Sequence, residues 1–300
     1  MKTQSVRTIT VLSALLAVAA LVDVLPAQQR QPATQMSANI EVSPPVGKDS
    51  VKFLVVGDSG TGDRVQNEVA AQMWKARSIF PYEFAIMLGD NMYGSERPQD
   101  YARKFEQPFK PMLDANIPFY AALGNHDDPN QRFYKHFNMN GQRFYTFQKK
   151  DVRFYVLDSN YMDQDQQKWL DKELQSNAKW KIAYFHHPIY SSGGRHGSEV
   201  DLRAIVEPMF IKHGLNVVFA GHEHFYERLK PQKGIHYFTA GGSAKLRAGD
   251  ILSSSGLTAK GYDAEQSFMV VEIDGDVLRF QTISRRGKRV DSGEIRLGTS

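Results

Sequence analysis

From Val51 onward the chain alternates short apolar runs with longer stretches in which apolar residues recur at helical spacing. VKFLVV (51–56), FAIML (84–88), IPFYAAL (117–123), VRFYVLD (152–158), KWKIAYF (179–185) and LNVVFA (215–220) are nearly continuous and rich in Val, Ile, Phe and Tyr, which predicts strands covered on both faces. Between them RVQNEVAAQMWKAR (64–77), the region Tyr101 to Leu113, QDQQKWLDKELQSN (164–177) and EVDLRAIVEPMFIKHG (199–214) predict helices. Strands separated by amphipathic helices are the pattern of βαβ units and a parallel sheet. The end of the chain differs. HYFTA (236–240) and SFMVVEIDGDVLRFQTISRRGKRVDSGEIRL (267–297) place strand-like runs around Asp274-Gly275 and Arg286-Gly287, which predicts antiparallel hairpins. No repeat and no second boundary interrupt the pattern, so a single α/β domain with an antiparallel section is expected.

The N-terminal residues do not share this pattern. Residues 1–27 begin with Lys2 and Arg7, run apolar from Ile9 to Val22 and continue with small residues, the arrangement of a cleaved export signal with Ala20 or Ala27 as cleavage point. The apolar run is shorter than the roughly 20 residues that span a bilayer, which argues against a retained anchor. Residues 28–48 are rich in Gln, Pro and Ser and lack periodicity, predicting a disordered linker before a globular domain over 49–300. The expected location is secreted or periplasmic. With 41% hydrophobic and 23% charged residues, the chain can bury an ordinary core. Its net charge of +4 is spread without a basic block, so neither nucleic acid nor, once the leader is removed, a membrane surface is implied as a partner. The absence of cysteine excludes disulfides, a thiolate zinc knot and a lipid-modified cysteine.

In open α/β sheets ligands bind beyond the carboxyl ends of the strands. Here those ends carry GDSG with Asp58, GDNMY with Asp90 and Tyr93, GNHD with Asn125 and His126, HHP with His186 and His187, and GHEH with His222 and His224. Each motif has a bland reading: aspartate caps turns and helices, and a lone tyrosine or histidine is commonly a packed side chain. Together they offer oxygen and nitrogen donors that suit zinc, iron or manganese better than calcium. They are also more numerous than one ion needs, and two ions sharing a carboxylate would employ them all. Two adjacent ions suit phosphoryl displacement, because they can hold both the attacking and the leaving oxygen.

The ordered set GDSG, GDNMY, GNHD, HHP and GHEH resembles the calcineurin-like metallophosphoesterase superfamily. Within it Tyr93 and the LGDNMY and LGNHD runs resemble the purple acid phosphatases of the small, tartrate-resistant branch. The resemblance covers about residues 51 to 245 and implies a four-layer sandwich of two mixed sheets flanked by helices. It implies Fe(III) held by Asp58, Asp90, Tyr93 and His224, and a second ion, Fe(II), Zn or Mn, held by Asp90, Asn125, His186 and His222, with Asp90 shared. The phenolate of Tyr93 would then account for the family's colour. The ligand place in HHP falls to His186, leaving His187 either beside the ligands, supporting them, or in packing. His126 would contact the phosphate, and His196, ten residues beyond His186, would protonate the leaving oxygen. Arg195 beside it is a further candidate for phosphate contact. Asp127 and Glu223 are expected to orient neighbouring imidazoles.

The implied reaction is hydrolysis of phosphate monoesters by direct attack of a metal-held hydroxide, without a covalent enzyme intermediate. A diesterase or nuclease would use the same ligands, and a non-catalytic phosphate- or metal-binding protein belongs to another class. A dinucleotide fold is suggested only by GDSGTGDRV and lacks its third glycine, Val65 standing there.

Overall fold

The computed structural model describes residues 39–298. The expected leader and the first part of the expected linker therefore lie outside the described residues, among which no helix is long and apolar enough to cross a membrane. The linker expectation needs correction from residue 39 on. Glu41 N donates to Gly287 O, Ser43 N to Gln281, and Val46 N and Gly47 N to the Glu272 carboxylate, while Val42 is buried. A segment whose backbone donors are taken up this way is part of the domain, despite its Pro- and Ser-rich composition.

Among the described residues, thirteen strands form two mixed sheets. They are β1 (Val51–Val56), β2 (Phe84–Met87), β3 (Phe119–Ala121), β4 (Tyr145–Lys149), β5 (Val152–Val156), β6 (Trp180–Phe185), β7 (Val217–Ala220), β8 (Tyr226–Leu229), β9 (His236–Ala240), β10 (Thr258–Tyr262), β11 (Ser267–Asp274), β12 (Val277–Ser284) and β13 (Arg289–Arg296). The first sheet has the order β13-β12-β11-β1-β2-β3 and the second β10-β8-β9-β7-β6-β5-β4. β1, β2 and β3 run parallel, as do β5, β6, β7 and β9. The expected hairpins are present at β11–β12 and β12–β13. HYFTA lies in an antiparallel hairpin too, with β8, but β9 also pairs parallel to β7, and its carboxyl end therefore opens on the same edge as that strand's.

Strand alternation decides what each face buries. Phe154, Ile182, Tyr184, Val217 and Phe219 point between the sheets, where Phe53 of the first sheet meets the rings of Phe154 and Phe219 edge-on at 5.3 and 6.3 Å. Their neighbours Tyr155, Ala183, Phe185 and Val218 point the other way. There they join Leu170 of helix α4 (Gln164–Glu173) and Leu202, Val206 and Phe210 of helix α5 (Val200–Lys212). On the far side, helix α1 (Arg64–Ala76) buries Val69, Ala70 and Met73 and packs on β11. The result is the expected helix–sheet–sheet–helix sandwich. Helices α1 and α4 begin with Asp63 and Asp163, whose side chains accept from the third residue onward, Gln66 N and Gln166 N, as N-caps do.

One helix departs from expectation. The Tyr101–Leu113 region divides into α2 (Pro98–Tyr101), a π-turn (Ala102–Glu106) and α3 (Lys110–Asp114). Pro108 lacks the N–H that a continuous helix would need there.

Candidate metal centre

The parallel strands deliver their ends to one edge of the sandwich. Asp58 follows β1, Asp90 and Tyr93 follow β2, Asn125 and His126 follow β3, His186 follows β6, and His222 and His224 follow β7. The turns there are tight. Asp58, Asp90 and His222 all have left-handed backbones, with φ of 55°, 50° and 68°. Such conformations cost about 1–3 kcal/mol each outside glycine and persist where the surroundings fix them. The surroundings leave little room: a Cβ on Gly124 would overlap the Asp90 backbone N and Oδ1, and one on Gly221 would sit 2.6 Å from Asp58 Oδ2.

Two groups of donors face each other across Asp90. On one side the Tyr93 hydroxyl donates to Asp58 Oδ1 at 3.0 Å and lies 3.2 Å from His224 Nε2, which is 3.5 Å from Asp58 Oδ1. On the other, His186 Nε2 lies 2.9 Å from Asn125 Oδ1 and 3.2 Å from His222 Nδ1, itself 3.0 Å from the same amide oxygen. Asp90 belongs to both. Ligand atoms of Asp58, Asp90 and His224 lie within 4.8 Å of one another, and Asp90 Oδ1 is 3.4 Å from His186 Nε2. His222 N donates to Asp58 Oδ2 at 2.9 Å, tying the end of the second sheet to the first.

These contacts fit cations better than protons. His186 Nδ1 lies 2.9 Å from the Leu88 carbonyl and must donate to it, so a neutral ring turns the lone pair of Nε2 toward the lone pairs of Asn125 Oδ1. Burial, with His187 next, holds the His186 ring well below the usual imidazole range, so protonation does not resolve that contact. Burial, with His186 next, lowers His222 as well. Burial and then Asp90 push Asp58 well above the usual carboxylate range, and burial with Asp58 and Asp90 raises Tyr93. Carboxylates, a phenol, an amide oxygen and imidazoles crowded in this way form a hard oxygen–nitrogen donor set of the type that binds iron, zinc or manganese. His224 fits less simply. Arg247 Nη2, which can only donate, stands 3.3 Å from its Nδ1, so ligation through Nε2 would need the ring proton on Nδ1 and the guanidinium moved aside.

His126 is exposed beside the cage, its ring centroid 5.0 Å from that of Tyr93 and its backbone N donating to Asp90 Oδ1. His196 is exposed as well, with Nδ1 2.5 Å from His222 Nε2 and no protein partner for its Nε2 among the described residues. Arg195 is exposed beside it.

Several positions differ from the sequence expectation. His187, expected beside the ligands or in packing, brings one ring nitrogen within 4.8 Å of ligand atoms of His186 and His222, and its Nδ1 pairs with Ser159 Oγ at 2.8 Å. Among the described residues, neither Asp127 nor Glu223 hydrogen-bonds an imidazole. Asp127 accepts from Gly124 N, Asn91 N, Met92 N and Gln131 Nε2, bracing the loops after β2 and β3 against each other. Glu223 accepts from His196 N and Gly197 N and pairs with Arg247. Lys245 and Arg247 were not singled out from sequence. Lys245 Nζ stands 4.6 Å over the Tyr93 ring, and Arg247 N donates to His224 O. The signal for both was the apolar run HYFTA ahead of them, a further strand end on the ligand-bearing edge.

Two mixed sheets with this donor set at their shared edge define a metallophosphoesterase. Residues 51–226 match the family described as calcineurin-like phosphoesterase, and the chain belongs to it. Its homologues are purple acid phosphatases, among them purple acid phosphatase 3 of Arabidopsis thaliana, 28% identical over 269 residues, 77% of this chain and 73% of that one. Tartrate-resistant acid phosphatase type 5 of Oryctolagus cuniculus is 22% identical over 237 residues, covering 64% and 72%. The purple acid phosphatase PPD1 from yellow lupin seeds shares the fold with a TM-score of 0.67 at 17% identity, covering 86% of this chain and 55% of that one.

Proposed function

We propose that the chain is an exported acid phosphatase that hydrolyses phosphate monoesters at a two-ion centre. Asp58, Asp90, Tyr93 and His224 would hold one ion and Asp90, Asn125, His186 and His222 the other. The observation that carries this reading is the convergence of seven side chains, Asp90 central among them, from the ends of five strands. The hard anionic phenol favours Fe(III) on its side, and Fe(II), Zn or Mn suits the amide and imidazole side. Homology to purple acid phosphatases supports the dinuclear assignment.

Bound ions would supply Lewis acidity toward the phosphate oxygens and an acidified water. The chain's own residues do the rest. Tyr93, packed against His126, walls the substrate side, and His126, whose backbone is fixed by Asp90, presents its ring to a phosphate oxygen. His196 delivers a proton from Nε2 to the leaving oxygen, its other nitrogen being engaged with His222. Export rests on the positive and apolar pattern of residues 1–27.

Activity of metal-loaded protein on mono-aryl and bis-aryl phosphates tests the reading. Turnover of the monoester in excess, abolished by chelation and restored by iron with zinc or manganese, is expected. Preference for the bis-aryl ester would make it a diesterase, and no turnover of either with both ions bound would overturn the enzyme assignment.

A further inference from the structure

We propose that Glu223 and Arg247 form a latch that positions His196, so that the loops 191–198 and 244–252 act as one unit over the reaction site; this rests on the role given to His196 above. Glu223 is fully buried, yet among the described residues its carboxylate accepts no hydrogen bond from an imidazole nitrogen. It is spent instead on the His196 loop, accepting from His196 N at 3.3 Å and Gly197 N at 2.7 Å, while its other oxygen meets Arg247 Nη1 at 3.1 Å. Arg247 also reaches Asp250 at 3.4 Å. A buried carboxylate with these partners is costly to displace, since each lost partner leaves a charge without a hydrogen bond.

The two loops are also joined along their backbones. Gly194 N donates to Asp250 O at 2.7 Å and Leu252 N to Ser192 O at 2.8 Å, a bridge centred on Gly193 and Ile251. A second buried carboxylate, Glu227, fixes the start of the first loop by accepting from Ser192 N, and it also binds Thr258. His196, on an exposed loop of glycines and small residues, is thus held in a place that its own sequence surroundings would leave free. Gly193 is part of the same device. Its backbone is not left-handed, but a Cβ there would overlap the Glu223 carboxylate.

The placement matters because a proton donor displaced by about 1 Å can lose roughly 10²-fold in rate. Gly193→Ala pushes on the latch from outside the ligand set, and Glu223→Gln keeps its shape while removing the charge that Arg247 meets. Full-length, metal-loaded variants are assayed on an alkyl phosphate and on 4-nitrophenyl phosphate, with metal content measured in parallel. His196→Ala is expected to lose about 10²- to 10⁴-fold on the alkyl ester and far less on the aryl ester. Gly193→Ala and Glu223→Gln are expected to lose at least about 10-fold on the alkyl ester alone, in kcat rather than KM, at wild-type metal content. Combining Gly193→Ala with His196→Ala should add nothing further, because both act through one group. Equal losses on both esters, additivity in the double variant, or loss of metal from Gly193→Ala would overturn the latch. A sensitive His196→Ala beside an insensitive Gly193→Ala overturns the latch alone, whereas an insensitive His196→Ala overturns the proton-donor role and the latch with it.

Discussion

Replacing Asp90 by Asn changes the charge of the centre almost without changing its shape. The side chain is 2% exposed, and its backbone is left-handed, a conformation asparagine adopts readily. One oxygen remains to accept from His126 N. What disappears is a negative charge whose ligand atom lies within 4.8 Å of that of Asp58. At an effective dielectric constant of about 20, two such charges repel by about 3 kcal/mol. Burial raises the Asp58 pKa, so protonation relieves part of this, and about 3 kcal/mol sets the scale. The metal-free variant should therefore melt above the metal-free wild type, by roughly 5 °C for a chain of this size. With ions present the order reverses. A site saturated 1,000-fold above its dissociation constant stabilises by about 4 kcal/mol per ion, and the variant forfeits that stabilisation along with the shared carboxylate. Calorimetry of both proteins with chelator and with metal, alongside elemental analysis, reads the two signs separately. A variant less stable than wild type without metal, or one that keeps both ions and full turnover, would refute the reasoning.

Tyr93→Phe should remove any visible absorption of the iron-loaded protein and lower iron content, since Asp58 loses the hydroxyl 3.0 Å away and the ion its anionic donor; an unchanged spectrum would place Tyr93 outside the centre. Gly124→Ala should lower metal content without touching a ligand, because its Cβ overlaps the Asp90 backbone, and wild-type stoichiometry in that variant would count against a rigid cage. Phe53→Ala, between the sheets, should cost about 3–5 kcal/mol of unfolding free energy, read by denaturant titration, at unchanged metal stoichiometry. A loss below about 1 kcal/mol would mean that the sheets do not depend on this contact.

The parallel strands and their ends were legible because each is a short apolar run closed by glycine and a polar donor, and such runs are unambiguous when helices of clear period separate them. VKFLVV, FAIML and KWKIAYF became β1, β2 and β6, and the donors that follow them meet. HYFTA was harder to place, since direction is not written in a strand's residues. β9 lies between β7 and β8, parallel to one and antiparallel to the other, and only that arrangement brings Lys245 and Arg247 to the centre. What fixes His187 was hidden for a related reason: its partner, Ser159, comes from the loop after β5, far from it along the chain. Glu223 and Asp127 have the sequence neighbourhood of imidazole-orienting acids, but their carboxylates meet backbone amides, a choice set by loop geometry. The docking of residues 39–48 was masked by composition, since Pro- and Ser-rich segments read alike whether or not their amides find acceptors.

Anomalous diffraction from crystals of the metal-loaded protein, recorded at the iron and zinc or manganese edges, tests the central claim most directly. Two maxima are predicted, one contacting Asp58, Tyr93 and His224, the other Asn125, His186 and His222, with Asp90 touching both. A single maximum, or an ion held by His187 with Tyr93 turned away, would contradict it.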